Sequence, residues 1–159
     1  MILRRRKDED TGRREFLESK KRSPKQPILE KIRMERGPGG YQKWLIEEFK
    51  ASGARVLNIH GHAMQEAGWP DTYCSHPYFH GFIETKVNQP VSAKQMSVLN
   101  DLRSLGDHAL VLRWDTESKC HLVSCIVLKE VRHLGRIFKE SRGVQFLRDL
   151  QELALSSPH

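Results

Sequence analysis

The sequence predicts an α/β fold in which a mixed β-sheet is flanked by helices. Segments with helical periodicity alternate with short runs rich in branched and aromatic residues, which is the first indication of this class. The run at 109–114 is almost continuously apolar, as expected of a strand that is buried on both faces in the middle of a sheet. The predicted order of the core elements is αβββαβ, with a further strand after it.

Local signals set the bounds of each predicted element. The Gly-Pro-Gly-Gly stretch at 37–40 breaks the chain before an amphipathic segment that Gly53 ends. Ser92 is a typical first residue of the next helix, and Gly106 follows its last turn. The first three strands are predicted to form an antiparallel meander. The predicted elements are helix 41–52, strands 55–60, 71–74 and 78–87, helix 92–105, strands 109–114 and 121–128, and helix 143–155.

Charge divides the 159-residue chain unevenly. Residues 1–36 hold 13 Lys/Arg against 7 Asp/Glu, whereas residues 37–159 hold 14 against 13, so the first part carries +6 of the net +7. We expect a basic, mobile N-terminal arm at 1–36, a core domain at 37–130 and a C-terminal helical extension at 131–159 that packs on the core. The arm favours binding to a phosphate backbone, and a solvated tail without a partner is equally consistent with its charge.

Composition also indicates where the protein works. No stretch approaches the roughly 20 apolar residues that a membrane span requires. Charge begins at Arg4, which is unlike a secretory signal, and the odd number of cysteines does not suggest a disulfide framework. We therefore expect an intracellular protein, with the cytoplasm of a bacterium or of a phage-infected cell as its setting.

Three charged residues in the second and third predicted strands form a candidate active site. Asp71 follows Pro70 at the start of one strand, and Glu84 and Lys86 lie in the next. Because side chains alternate along a strand, Glu84 and Lys86 share a face, and hairpin pairing can bring Asp71 beside Glu84. Two carboxylates, helped by the backbone carbonyl of Thr85, suit Mg²⁺, with Mn²⁺ as a substitute. This chemistry would hydrolyse a phosphodiester, although the same short pattern also occurs as ordinary strand residues.

The motifs GWPD, GFIETKV, SAKQMSVLNDLRSLG and ALVLRW occur in this order. Over about residues 40–114, the chain resembles the stand-alone VRR-NUC branch of the PD-(D/E)xK nucleases, to which archaeal-type Holliday-junction resolvases are closely related. The resemblance implies a restriction-endonuclease-like core and a magnesium-dependent deoxyribonuclease. It also admits a homodimer that acts on branched DNA.

Two more site residues follow from the resemblance. The family tends to carry a Gln on the helix after Glu-x-Lys, and Gln95 occupies that place, although Ser92-x-x-Gln95 is equally a capping box. Relatives usually place a Glu early in the first helix, where this chain has GPGGYQK, with Gln42 as the nearest polar residue. Glu48 lies on the apolar face of that helix and is the candidate substitute, with a surface carboxylate as the alternative.

The candidate DNA contacts combine the basic arm with residues beside the site. Trp69 directly precedes Pro-Asp and could stack on unpaired bases. We expect a structure-selective endonuclease for branched, flapped or junction DNA in repair, recombination or replication. The alternatives are a site-specific endonuclease of the restriction or homing kind and a catalytically silent DNA-binding subunit. The candidate contacts are Arg4, Arg5, Arg6, Lys20, Lys21, Arg22, Trp69 and Lys94.

Overall fold

The computed structural model describes residues 25–59 and 66–158, and within them the chain forms a mixed α/β fold. Six strands make one sheet whose order in space is the order along the chain. A short 3₁₀ turn, Leu29–Lys31, precedes the first helix. The elements are α1 (Tyr41–Ala51), β1 (Arg55–Asn58), β2 (Thr72–His76), β3 (Phe79–Lys86), α2 (Ala93–Ser104), β4 (Ala109–Asp115), β5 (Cys120–Val127), β6 (Glu130–Phe138) and α3 (Val144–Leu155).

The sheet combines antiparallel hairpins with one parallel pair. β1, β2 and β3 form the predicted antiparallel meander, and β4, β5 and β6 form a second one. β3 and β4 run parallel, so the chain must cross over between them, and α2 is that crossover. The predicted α/β class, the mixed sheet flanked by helices and the αβββαβ order are confirmed.

Two apolar cores lie on opposite faces of the sheet. α1 and α3 cover one face, where their aromatic residues pack against the inward side chains of β3, β4 and β5. α2 covers part of the other face, here called the α2 face, where Leu99 packs near Val111 and Ile126. β4 supplies residues to both cores, which confirms that this strand is buried on both faces.

Two segments differ from the sequence expectations. Residues 25–36 belong to the predicted arm, yet Leu29 and Ile32 are buried in the core with α1. The region predicted as a purely helical extension begins with β6, an edge strand with mostly exposed side chains. Such a strand lacks the apolar alternation by which a half-buried strand is recognised. The rest of the arm and residues 60–65 lie outside the described residues.

Among the residues that the structure describes, none of the helices has the length and apolar character that crossing a membrane requires.

Candidate active site

The β2–β3 hairpin brings the three predicted charged residues together. Thr72 pairs with Ile83, so Asp71, which immediately precedes β2, lies beside Glu84 and the residue after it. The exposed fractions of Asp71, Glu84 and Lys86 are only 2%, 1% and 8%. Three charged side chains are thus concentrated in a region from which water is largely excluded.

Asp71 is held by its neighbour on β3. Its Oδ2 accepts hydrogen bonds from the amide nitrogen of Thr85 at 3.0 Å and from the Thr85 hydroxyl at 2.7 Å. Its Oδ1 lies 3.5 Å from Nη2 of Arg36, whose side chain is 53% exposed. Sequence reasoning considered only the carbonyl of Thr85 and missed Arg36, because nothing local to the sequence links two residues 35 positions apart.

Glu84 is only partly satisfied. Its Oε1 accepts a hydrogen bond from Nε2 of Gln95 at 2.9 Å and lies 3.6 Å from Nζ of Lys86. Its Oε2 is buried and has no hydrogen-bond partner among residues 25–59 and 66–158. Burial and, to a smaller extent, the charge of Asp71 raise the pKa of Glu84 to about 8, although Lys86 and Arg36 act in the opposite direction. The carboxylate is therefore placed where an additional cation would stabilise its charged form.

The pair of carboxylates fits a divalent cation. Asp71 and Glu84 are hard oxygen donors, and the unpartnered Oε2 of Glu84 leaves one acceptor free for a ligand. Within residues 25–59 and 66–158, no group of three His, Cys, Asp or Glu side chains is placed to hold a metal ion. A cation here would therefore depend on two carboxylates, with backbone oxygens such as that of Thr85 and water as further ligands.

Gln95 forms the capping box and also contacts Glu84 of the proposed site. Its Oε1 accepts a hydrogen bond from the amide of Ser92 at 3.0 Å, and its own amide donates to the Ser92 hydroxyl at 3.1 Å, which completes the capping box. Its Nε2 donates to Glu84 at 2.9 Å. One side-chain amide thus joins the start of α2 to the carboxylate of β3.

Glu48 does not supply a third carboxylate to this site, and that expectation is corrected. Its two oxygens accept hydrogen bonds from Arg142 at 2.8 and 2.9 Å, from the amide of Gly143 at 2.7 Å and from Gln26 at 3.1 Å. The helical wheel correctly placed Glu48 inside the protein. It could not show that a partner 94 residues later in the chain would take up its charge.

Trp69 and Lys94, two of the predicted DNA contacts, lie beside the site, and the surface around them is here called its mouth: Trp69 is two residues before Asp71, and Lys94 directly precedes Gln95. Gly68 has a φ of +93°, and a Cβ on it would lie 2.9 Å from the carbonyl oxygen of Lys94, so only glycine lets this loop approach the first turn of α2. Trp69 packs edge-on against Phe82 at 5.8 Å between ring centroids. The six predicted contacts of the arm, from Arg4 to Arg22, lie outside the described residues.

Two further polar residues hold the turn that follows Lys86. Glu35 accepts hydrogen bonds from the amides of Val87 and Gln89 at 3.1 and 3.2 Å. Arg113 donates to the carbonyl oxygens of the same two residues at 3.3 and 3.0 Å. This turn connects β3 to Ser92 and Gln95, so both groups help to fix the site. Sequence reasoning assigned no role to either.

Comparison with known proteins found no matching family model and no matching curated protein. Among solved structures, the chain is similar to that of Archaeoglobus fulgidus Hjc, a Holliday junction resolvase from an archaeal hyperthermophile. The two chains are 17% identical, the match covers 72% of this chain and 97% of that one, and the TM-score is 0.45. The VRR-NUC branch stays a prediction.

Proposed function

We propose that this protein is a metal-dependent deoxyribonuclease of the PD-(D/E)xK type, with Asp71, Glu84, Lys86 and Gln95 as its active-site residues. The observation that carries the proposal is the buried pair of Asp71 and Glu84. One oxygen of Glu84 has no partner within the described part of the chain, and the Lys86 ammonium lies 3.6 Å from the other. A buried carboxylate without compensation is unfavourable for folding, so such a pair is typical of a binding site.

Each residue has a definite task in the proposed reaction. Asp71 and Glu84 would hold Mg²⁺ or Mn²⁺, which when bound polarises the phosphodiester and lowers the pKa of a water. Thr85 fixes the Asp71 carboxylate through its amide and hydroxyl, and Gln95 fixes the Glu84 carboxylate through Nε2. Nζ of Lys86 donates a hydrogen bond to the attacking water or to a phosphate oxygen and offsets the negative charge that develops there.

DNA of altered structure is the proposed substrate. The partly buried Trp69 and the exposed Lys94 lie at the mouth of the site, where a ring can stack on an unpaired base and an ammonium can meet a phosphate. Neither contact reads a sequence of bases, which favours branched, flapped or junction DNA over a single duplex sequence. Such a substrate agrees with the expected intracellular setting, and the basic arm and a homodimer remain part of this proposal.

A catalytically silent DNA-binding subunit is the second candidate. Two observations favour it: Glu48 is fully engaged elsewhere, and the guanidinium of Arg36 already approaches Asp71. Under this alternative, Arg36 would occupy part of the space that a cation needs. The two candidates differ in whether purified protein cuts DNA when Mg²⁺ is present.

The test incubates the full chain and Mg²⁺ with linear, nicked, flapped, single-stranded and four-way DNA. Wild type should cut at least one of them, and Asp71→Asn, Glu84→Gln and Lys86→Ala should each reduce the rate on the order of 10²-fold or more. Asp101→Asn removes an exposed carboxylate of α2 and serves as the matched control. Absence of cleavage, or cleavage that survives all three substitutions, would refute the nuclease. Cleavage of one duplex sequence alone would support a site-specific enzyme instead.

A further inference from the structure

A row of four residues, three of them cationic, crosses the α2 face, starting at the proposed active site. Lys86 on β3 pairs with Arg113 on β4, Arg113 pairs with Leu122 on β5, and Leu122 pairs with Arg136 on β6. Residues paired in register on adjacent strands project from the same face of a sheet. The four residues therefore form one row, here called the β3–β6 track.

We propose that the β3–β6 track binds the phosphate backbone of DNA and guides it into the active site. The proposal rests on the nuclease function above and deepens it by naming a contact surface within the folded domain. It differs from the predicted contacts at the N-terminal arm and at the mouth. Phosphate recognition by Arg is favoured because the guanidinium can donate two parallel hydrogen bonds to phosphate oxygens.

The outer half of the track is open to solvent. α2 packs against β4 and β5 beside Val111 and Ile126, away from the row that ends in Arg136. Arg136 is exposed, Leu122 is partly exposed, and Phe138, which follows on the same face of β6, is 63% exposed. A ligand can therefore approach the row without displacing a helix.

The charges of the track are largely uncompensated. Within the described part of the chain, neither Arg113 nor Arg136 lies within 4.0 Å of a carboxylate oxygen in an ion pair. The Asp115 carboxylate accepts hydrogen bonds from the Ser118 hydroxyl and from the amide of Glu117, which lower its pKa. The charge of Arg136 also lowers this pKa, but the carboxylate is already occupied by the two donors of its own turn. The positive charge is therefore available to a polyanion.

The dimensions of the track suit a nucleic-acid strand. Adjacent strands of a sheet are about 4.8 Å apart, so the backbone at Arg136 lies roughly 14 Å from that at Lys86. This distance corresponds to about four phosphates of one DNA strand at 3.4 Å per step along the helix axis. Arg113, in the middle, also holds the turn after Lys86, so a phosphate bound there would lie directly beside the site.

A second copy of this chain is the rival occupant, because β6 is the edge strand of the sheet. Pairing between two β6 edges would bring Arg132 and Arg136 of one copy close to the same two residues of the other. Positive side chains along an edge strand oppose such pairing. The charge pattern therefore favours a polyanion.

Binding without cleavage provides the test. Fluorescence anisotropy of a labelled duplex and a labelled four-way junction is measured in EDTA over a range of salt concentrations with wild type, Arg136→Gln and Arg132→Gln. Arg132 is the matched control because it lies on β6 and is exposed, but it pairs with Cys125 and therefore projects from the opposite face. Thermal melting verifies that the three proteins are equally folded, and sedimentation gives their oligomeric state.

The Arg136→Gln variant should bind both DNAs more weakly, on the order of fivefold to tenfold near 0.1 M salt, with a salt slope smaller by about 0.9. Arg132→Gln should change neither quantity. Unchanged DNA binding by Arg136→Gln would overturn the track, and so would an equal loss of DNA affinity in Arg132→Gln. The track would also be overturned if Arg136→Gln lost self-association but kept its DNA affinity. This test measures no cleavage. If the track binds DNA but the protein never cuts DNA, only the proposed nuclease function is refuted.

Discussion

Glu48 and Glu84 are both buried glutamates, and their surroundings are opposite. Glu48 accepts two hydrogen bonds from Arg142, one from Gly143 and one from Gln26, and its pKa is lowered despite the burial that would raise it. Glu84 has one oxygen that finds no partner among the residues the structure describes, and its pKa is raised to about 8. Within the described residues, hydrogen-bond donors engage both oxygens of Glu48 but only one oxygen of Glu84.

We use this difference to distinguish the structural carboxylate of Glu48 from the proposed metal ligand Glu84. Burial alone does not distinguish them, since both are almost inaccessible to solvent. The number of compensating donors distinguishes the two carboxylates. An uncompensated buried charge lowers stability, and it is typical of a site where a bound ligand compensates the charge. Substitution of the two residues should therefore change stability in opposite directions.

The largest expected change in stability follows from Glu48→Gln. The substitution leaves the Arg142 guanidinium, whose side chain is 30% exposed, without its carboxylate, and breaking such a pair should lower the free energy of unfolding by about 3 kcal/mol. Urea denaturation measures it. Glu47→Gln is the matched control, because it removes a neighbouring, less buried glutamate whose 3.3 Å pair with Lys43 should contribute only about 0.5 kcal/mol. Equal effects of the two substitutions would contradict the structural role of Glu48.

The second prediction concerns Glu84→Gln in the absence of metal. The pKa of Glu84 in the folded protein is about 8 and exceeds the unfolded value near 4.5. The contribution of Glu84 to the stability of the fold is therefore fully present below pH 4.5 and is lost as pH rises through 8. Removal of the charge should therefore stabilise the protein near pH 8, by about 1–2 kcal/mol after the lost contact with Lys86 is considered. The measurement is a series of urea denaturations in EDTA from pH 5 to pH 8.

The pH series contains its own control. Near pH 5 the folded protein keeps Glu84 protonated, so wild type and Glu84→Gln should differ least there. A gain that is equal at both ends of the series would show that packing, and not charge, is responsible.

Divalent metal should produce a smaller shift. A cation that binds only the folded state at ten times its dissociation constant stabilises it by about 1.4 kcal/mol, so Mg²⁺ should raise the Tm of wild type by a few degrees. Glu84→Gln and Asp71→Asn should lose this shift, whereas Glu47→Gln should keep it. A shift of equal size in all four proteins would mean that Mg²⁺ binds elsewhere.

The smallest effects distinguish the two roles of Gln95. Ser92→Ala removes only the cap and should cost about 1 kcal/mol of stability while leaving the Mg²⁺-dependent rise in Tm intact. Gln95→Ala should cost a similar amount and also weaken Mg²⁺ binding, because Glu84 loses the donor at 2.9 Å. If both variants weaken Mg²⁺ binding equally, the loss of the helix cap alone explains the effect of Gln95→Ala.

The fold from α1 to β5 could be predicted because its elements have strong local patterns. Alternating or continuous apolar residues and the breakers at 37–40, Gly53 and Gly106 mark their bounds. β6 could not be predicted in this way, because an edge strand with exposed charged residues resembles a loop, and its register also shifts near Ser124. The 3₁₀ turn at Leu29 is too short to show a period.

The hairpin geometry of the site was equally predictable, because Asp71, Glu84 and Lys86 lie on adjacent strands of one meander. Contacts between distant segments were not. Arg36 beside Asp71 and Arg142 beside Glu48 depend on how separate elements pack, and no periodicity contains that information. The error over Glu48 has this cause: its helix face was correctly derived, but the identity of its partner depends on α3.

The local origin of the carboxylate pair has a consequence for the order of folding. Hairpins form within about 1–10 μs, whereas the parallel pairing of β3 with β4 must wait until α2 has closed a longer loop. Repulsion between Asp71 and Glu84 would then arise in an early intermediate, before most of the sheet exists. A divalent cation that bound this pair, as we propose, would relieve the repulsion.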